Sequence, residues 1–278
     1  MTDHAAGSSG AFIATHRSSS KLRGGCVSGP RQRLGFWYRL VAHSLRPILM
    51  AVTRRDWRSA ENLPGVGVGV VLAPNHVSYL DPLTLAHFLW DNGRAPRYLA
   101  KESLFRLPLI GRVIAACGQI PVYRESKNAA RALRAAVAAV QDGECVVIYP
   151  EGTITKDPRG WPMAGKTGAA RVALDTGCPL IPIAQWCPQD ILPRGALRPR
   201  LWPRRTIRVL AGPPVQLDDL REQPNTPAVL RTATDRILAA ITGQLAELRG
   251  ELPPAVRYDP ALPSAGDTRD TSTVGEEG

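Results

Sequence analysis

His76 and Asp81 stand five positions apart in the stretch APNHVSYLDPLTL, residues 73–85, with Asn75 and Ser78 beside them. An imidazole next to a carboxylate is equipment for general-base chemistry. The carboxylate fixes the tautomer and supports the positive charge gained when the imidazole takes a proton from a hydroxyl or water. Five extended residues span roughly 17 Å, so the loop must turn for the two groups to meet. Ser78 and the Asp81–Pro82 pair supply turn and helix-start chemistry that allows this. The spacing also admits a plainer reading, in which Asp81 caps the next helix and His76 closes a strand.

Other reactive or anion-binding groups fall at the ends of apolar runs. YPEGTIT, residues 149–155, follows CVVI and sets Glu151, Gly152 and Thr153 at a strand end, the edge where open α/β sheets bind ligands. Arg124 follows QIPVY and is available to a phosphate or carboxylate. Lys166, in MAGKTGAARVAL, precedes a helix whose free N–H groups, with the ammonium, suit an anion. Each has a bland alternative as a turn residue, a surface charge or a solvated helix start. The five cysteines (Cys26, Cys117, Cys145, Cys178 and Cys187) lack metal-ligand spacing, so no metal is expected and the thiols read as reduced, in a cytosolic compartment. A His–Asp pair also serves hydrolases, but no G-x-S-x-G nucleophile turn occurs.

The elements that must position these groups alternate along the chain. GVVLA, PRYLAK, QIPVYR, CVVIYP, PLIPIAQW and TIRVLAG read as strands. Between them, DPLTLAHFLWDN, SLFRLPLIGRVIAACG (interrupted near Pro108), SKNAARALRAAVAAVQDG and GKTGAARVALDTG read as helices, and TPAVLRTATDRILAAITGQLAEL as a last one. This alternation implies an α/β sheet with helices on its faces.

Ahead of it, RLGFWYRLVAHSLRPILMAVTRR places Leu34, Trp37, Tyr38, Val41, Leu45, Ile48, Leu49 and Val52 on one helical stripe. Pro47 is expected to kink or divide that segment. Its flanking aromatics and arginines suit a membrane interface, although packing on its own domain is equally compatible. The expected organisation is a disordered basic tail over 1–30, an amphipathic membrane-associating segment over 31–60, a catalytic domain over 61–252 and a disordered acidic tail over 253–278. The chain has 278 residues and a net charge of +11. The basic excess suggests an anionic partner, and with no nucleic-acid reading motif and aromatics at 6%, nucleic acid is not that partner.

Taken together and in order, four blocks resemble the glycerolipid acyltransferases of the 1-acyl-glycerol-3-phosphate acyltransferase type, over about residues 66–215. They are Asn75–Asp81 (N-H-x-S-x-x-D), Gly118–Arg124 (G-x-[IF]-x-[VI]-x-R), Tyr149–Thr153, and Cys178–Ile183. The resemblance implies a glycerolipid acyltransferase fold, with a mixed central sheet flanked by helices and N-terminal amphipathic helices at the membrane interface. It implies acyl transfer, without cofactor or metal, from an acyl thioester donor (acyl-CoA or acyl carrier protein) to a lysophospholipid acceptor. The anionic surface would be the cytoplasmic side of the cell membrane, with the protein peripheral or monotopic.

By the same resemblance His76 and Asp81 are the catalytic pair. Asn75, Ser78, Arg124, Glu151, Gly152, Thr153 and Lys166 belong with substrate, and Lys101 lies near the site entrance. One departure stands out. Where many members continue the third block with Arg, this chain has Ile154, which leaves other lysophospholipid or glycolipid acceptors open, as well as a non-catalytic lipid-binding role. The loop KDPRGWP, residues 156–162, is expected to shape the acceptor site.

Overall fold

A computed structural model describes residues 34–122, 126–196 and 198–262. Seven strands form one sheet: β1 Thr53–Arg58, β2 Val70–Pro74, β3 Pro96–Lys101, β4 Ile120–Val122, β5 Cys145–Val147, β6 Leu180–Trp186 and β7 Arg205–Ala211. Their order across the sheet is β1-β7-β6-β2-β5-β3-β4. Pairing is parallel except between β6 and β7, so β1 and β7 run against the other five. The sheet is therefore mixed, as the resemblance implies. β2, β5, β3 and β4 end at one edge, where β1 and β7 begin.

The central strands are continuous apolar runs because both faces are covered. Successive residues of β2 go to opposite cores. Val71 and Ala73 join the cluster under α5 (Ser126–Gln141), α6 (Gly168–Thr176) and α9 (Pro227–Arg249), while Val70 and Leu72 join the one under α2 (Asp81–Asp91). α9 starts with a cap, the Thr226 hydroxyl accepting from Val229 N–H, and ends at Gly250 in the left-handed region.

The N-terminal segment differs from expectation in two ways. α1 runs unbroken from Phe36 to Val52 through Pro47. Thr53–Arg58, expected within the membrane-associating segment, is instead the edge strand β1, paired with β7 from Thr53↔Arg205 to Arg58↔Leu210. Charged residues suit an edge position. One side of α1 packs on α2, with the Tyr38 and Trp90 rings stacked at 5.9 Å. Asp91 binds the two helices and β1 together, accepting from Arg46 Nε (3.0 Å), Arg55 Nη1 (2.8 Å) and Trp57 Nε1 (3.1 Å). Burial would raise that carboxyl, but these donors hold it below its ordinary value. The other side of α1 is open: Phe36, Trp37, Leu40 and Ile48 are exposed. The packed side of α1 accords with the reading of a helix packed on its own domain.

Two short helices, α3 (Glu102–Phe105) and α4 (Ile110–Ala116), flank Pro108 as expected, while α7 (Pro188–Ile191) and α8 (Asp218–Arg221) escaped the pattern reading. The tail read as disordered from 253 begins with a segment tied to the domain. Ala164 N–H donates to Tyr258 O (2.9 Å) and Arg257 pairs with Asp235 at 2.7 Å. The expectation for residues 1–30 and the remainder of the tail fall outside the described residues.

Candidate functional site

The loop between β2 and α2 brings His76 and Asp81 together. His76 Nδ1 lies 2.8 Å from Asp81 Oδ2, which also accepts from the backbone N–H of Val77 (2.6 Å) and Ser78 (2.8 Å). Asp81 has no solvent exposure, whereas the His76 side chain keeps 15%. The carboxylate turns back onto the preceding loop and does not cap its own helix, whose start has no side-chain cap. Burial pushes the Asp81 carboxyl up, opposed by His76 and the two N–H donors. With an acceptor at Asp81 Oδ2, this geometry suits the imidazole tautomer in which Nδ1–H points to the carboxylate and the Nε2 lone pair is left unprotonated.

Three residues expected at the substrate hold this loop from within. Asn75 is 1% exposed and clamps the loop to β6, its Nδ2 donating to Gln185 O (3.0 Å) and its Oδ1 accepting from Gln185 N (2.7 Å). Ser78 is fully buried and donates its hydroxyl to Leu192 O (2.7 Å). Glu151 is 3% exposed and joins two loops, Oε1 accepting from His76 N–H (2.9 Å) and Oε2 from Met163 N–H (3.1 Å). Burial raises its carboxyl to about 7 against those two donors. The polar atoms of all three are committed to backbone in this structure and hold the loop in place.

Gly152 and Thr153 are exposed, as expected of a ligand edge. Gly152 adopts φ +68, and a Cβ there would come within 3.2 Å of Lys166 Nζ. The bare glycine therefore lets the exposed lysine lie across the turn. Lys101 is exposed at the end of β3, and Arg124 lies outside the described residues. Ile154 is 5% exposed and turned inward, so the position that is often Arg in the family adds to packing here. Trp161 does not line the acceptor edge. It is 2% exposed, packed with Leu245 and Leu248, and its ring lies 4.0 Å from the Arg249 guanidinium.

Sequence reasoning missed two neighbours. The Tyr149 ring lies against the His76 imidazole, with centroids 4.3 Å apart and planes inclined by 32°. Tyr149 belongs to a recognised block, but nothing in the sequence says that it touches His76. Arg194 donates Nη1 to Thr155 O (3.1 Å) from an exposed loop, and Thr155 N–H donates to His76 O (2.8 Å). A contact across 39 positions leaves no local pattern. Lys166 at the Gly152 turn and Arg194 at Thr155 are exposed cations on the loops that join the His76 loop.

Comparison with known proteins bears on these features. Residues 54–186 match the family model described as Acyltransferase. A chloroplastic 1-acyl-sn-glycerol-3-phosphate acyltransferase of Brassica napus is 32% identical over 144 residues, 51% of this chain and 40% of that one. The 1-acyl-sn-glycerol-3-phosphate acyltransferase of Bacillus subtilis is 27% identical over 191 residues, 68% of this chain and 87% of that one. The chain thus spans less than half of the plant relative and most of the bacterial one. The crystal structure of the 1-acyl-sn-glycerophosphate acyltransferase from Thermotoga maritima superposes with a TM-score of 0.59 at 20% identity, covering 78% of this chain and 83% of that one, so the two share a fold.

Proposed function

We propose that the acyltransferase domain of this chain transfers a fatty acyl group from an acyl thioester, of coenzyme A or of acyl carrier protein, to the free hydroxyl of 1-acyl-glycerol-3-phosphate, yielding phosphatidic acid. The observation that carries this reading is the 2.8 Å His76–Asp81 pair, set at the strand edge where Gly152 and Lys166 lie open. His76 Nε2 takes the hydroxyl proton while Nδ1–H stays on the Asp81 carboxylate. The alkoxide-like oxygen attacks the thioester carbonyl, the carbon–sulfur bond breaks, and the imidazolium returns its proton to the departing thiolate. Lys166 and Arg194 take the acceptor phosphate. The names of the relatives support the acceptor. The inward Ile154 keeps a second reading alive, another lysophospholipid with a different headgroup.

The reaction takes place against an anionic membrane, on its cytoplasmic side in this reading, with the protein peripheral or monotopic. No described helix is long and apolar enough to cross a membrane. Two features support attachment from one side. One is the open apolar side of α1. The other is the loop 192–204, whose Trp202 is 84% exposed beside Leu201, Arg198 and Arg200. That loop begins at Ser78, through Leu192 O, and ends at the C-terminus of α1, where Arg204 donates to Met50 O and Thr53 O. A basic surface with an exposed tryptophan suits an anionic lipid interface.

The test is thiol release from an acyl thioester across a panel of lysolipids, with product mass read out. His76→Ala is expected to lower acceptor-dependent release by roughly two to four orders of magnitude. Equal rates in the variant and wild type would sink the mechanism, and full release without any acceptor would point to a hydrolase.

A further inference from the structure

Three polar atoms around Asp81 are shut off from solvent and lack a hydrogen-bond partner: Asp81 Oδ1, the Tyr149 hydroxyl and Gln185 Nε2. An unpaired buried polar group is costly, so each one in a native fold calls for an explanation. These three have complementary chemistry. An amide N–H can only donate, a phenol can accept and donate, and a carboxylate oxygen can only accept. Brought together in series they would form a chain, Gln185 Nε2–H to Tyr149 Oη–H to Asp81 Oδ1. The far end is held, because Gln185 Oε1 accepts from the Thr84 hydroxyl at 2.9 Å and the Gln185 backbone is clamped by Asn75.

The Tyr149 hydroxyl stays protonated at any working pH. Burial raises it well above 10, the Asp81 charge raises it further, and only Gln185 pulls the other way. It is therefore a donor to whatever acceptor it meets. Its ring, meanwhile, lies against His76 on one side and Tyr98 on the other, the latter at 6.4 Å and 15°. One side chain thus touches the base with its ring and carries a buried hydroxyl within reach of the Asp81 charge.

We infer that Tyr149 and Gln185 are positioning residues for the His76–Asp81 pair. The tyrosine ring holds the imidazole plane, and its hydroxyl, oriented by the Gln185 amide, donates to Asp81 Oδ1 and keeps the carboxylate ionised beside the neutral imidazole. Before proton transfer Asp81 carries its charge uncompensated in a dry site, where a further donor is worth most. The role rests on the acyl-transfer reading for its use in turnover, but its physical content does not.

The decisive variant is Tyr149→Phe, which keeps the ring against His76 and removes only the hydroxyl. With one donor to the carboxylate lost, the Asp81 charge is less compensated and holds the imidazolium more tightly, so the His76 imidazole titrates at higher pH than in wild type. The ionisable groups that meet His76 are Asp81 from α2 and Tyr149 and Glu151 from the loop after β5, with Tyr98 of β3 behind Tyr149. Only Tyr149 changes.

The measurement is a nitrogen-15 histidine NMR titration of the full chain, with the His76 signal assigned through His76→Gln and thermal unfolding followed as a control. It needs no substrate, so it stands or falls independently of the acyl-transfer reading. In turnover, Tyr149→Phe is expected to lower kcat by roughly tenfold to a hundredfold, with KM within about twofold and the acid limb of the rate profile moved to higher pH. Gln185→Met follows in the same direction by a smaller factor. An unmoved His76 titration in Tyr149→Phe overturns the inference, and so does a lower kcat without a shifted acid limb, which loss of packing alone would give.

Discussion

Glu151 is the residue whose environment gives the most quantitative test. It is 3% exposed, both its oxygens accept backbone N–H groups, and burial raises its carboxyl from 4.5 to about 7. A carboxyl raised in the folded state binds its proton more tightly there than in the unfolded chain. Its contribution to stability is therefore fully present below the unfolded value and declines as pH rises to the folded one. With 1.36 kcal/mol per pH unit of difference, the whole effect is about 3 kcal/mol, of which about 2.5 kcal/mol is lost between pH 5 and pH 8.

Glu151→Gln removes the titration and adds a fixed cost. A glutamine offers one acceptor, so its NH2 must face either His76 N–H or Met163 N–H, at roughly 1–3 kcal/mol. That cost does not vary with pH, so the slope separates the two effects. Urea unfolding of wild type and variant at pH 5, 6, 7 and 8 measures it directly, because titrating groups that do not interact with Glu151 cancel in the difference. The stability of wild type relative to the variant should fall by about 2.5 kcal/mol across the range. Parallel curves would refute the reasoning and show that the two N–H donors keep Glu151 ionised throughout.

Two other expectations concern the open side of the site. Arg194→Ala and Lys166→Ala should each raise KM for lysophosphatidate by roughly tenfold with kcat changed less than about threefold. An equal rise for an acceptor without a charged headgroup would remove both from phosphate binding. Replacing Trp37 and Leu40 of α1 by serine should weaken binding to phosphatidylglycerol vesicles by roughly tenfold and leave turnover on micellar acceptor intact. Unchanged vesicle sedimentation would exclude this side of α1 from the membrane surface.

Much of the fold was legible because its signals are local. GVVLA, CVVIYP and PLIPIAQW read as strands because they are largely apolar runs, and they contain β2, β5 and β6 in large part, while the cap of α9 comes from Thr226, Pro227 and Gly250. β1 was illegible for the opposite reason. TRRDWR is a charged edge strand whose identity comes from its pairing with β7, about 150 positions away. Pro47 was expected to disturb α1, yet Asp91 and the stacked Tyr38 and Trp90 hold the helix along α2.

The site shows a sharper limit, one of direction. Its ordered blocks mark Asn75, Ser78, His76, Asp81 and Glu151 alike, but a polar residue in a motif can reach outward to a ligand or inward to the chain's own backbone. Burial decides between the two, and only packing sets burial. Asn75, Ser78, Asp81 and Glu151 all turn inward, and together they fix the loop that carries His76. Under the proposed reaction, a motif built in this way constrains the chemistry far more than the acceptor. Its inward residues would be needed for any hydroxyl, whereas headgroup choice would rest on groups such as Arg194 and Lys166, supplied from loops outside the histidine block. Exchanging the outward cations should therefore change which lipid is acylated, whereas changing the inward set should reduce the rate for every acceptor by the same factor.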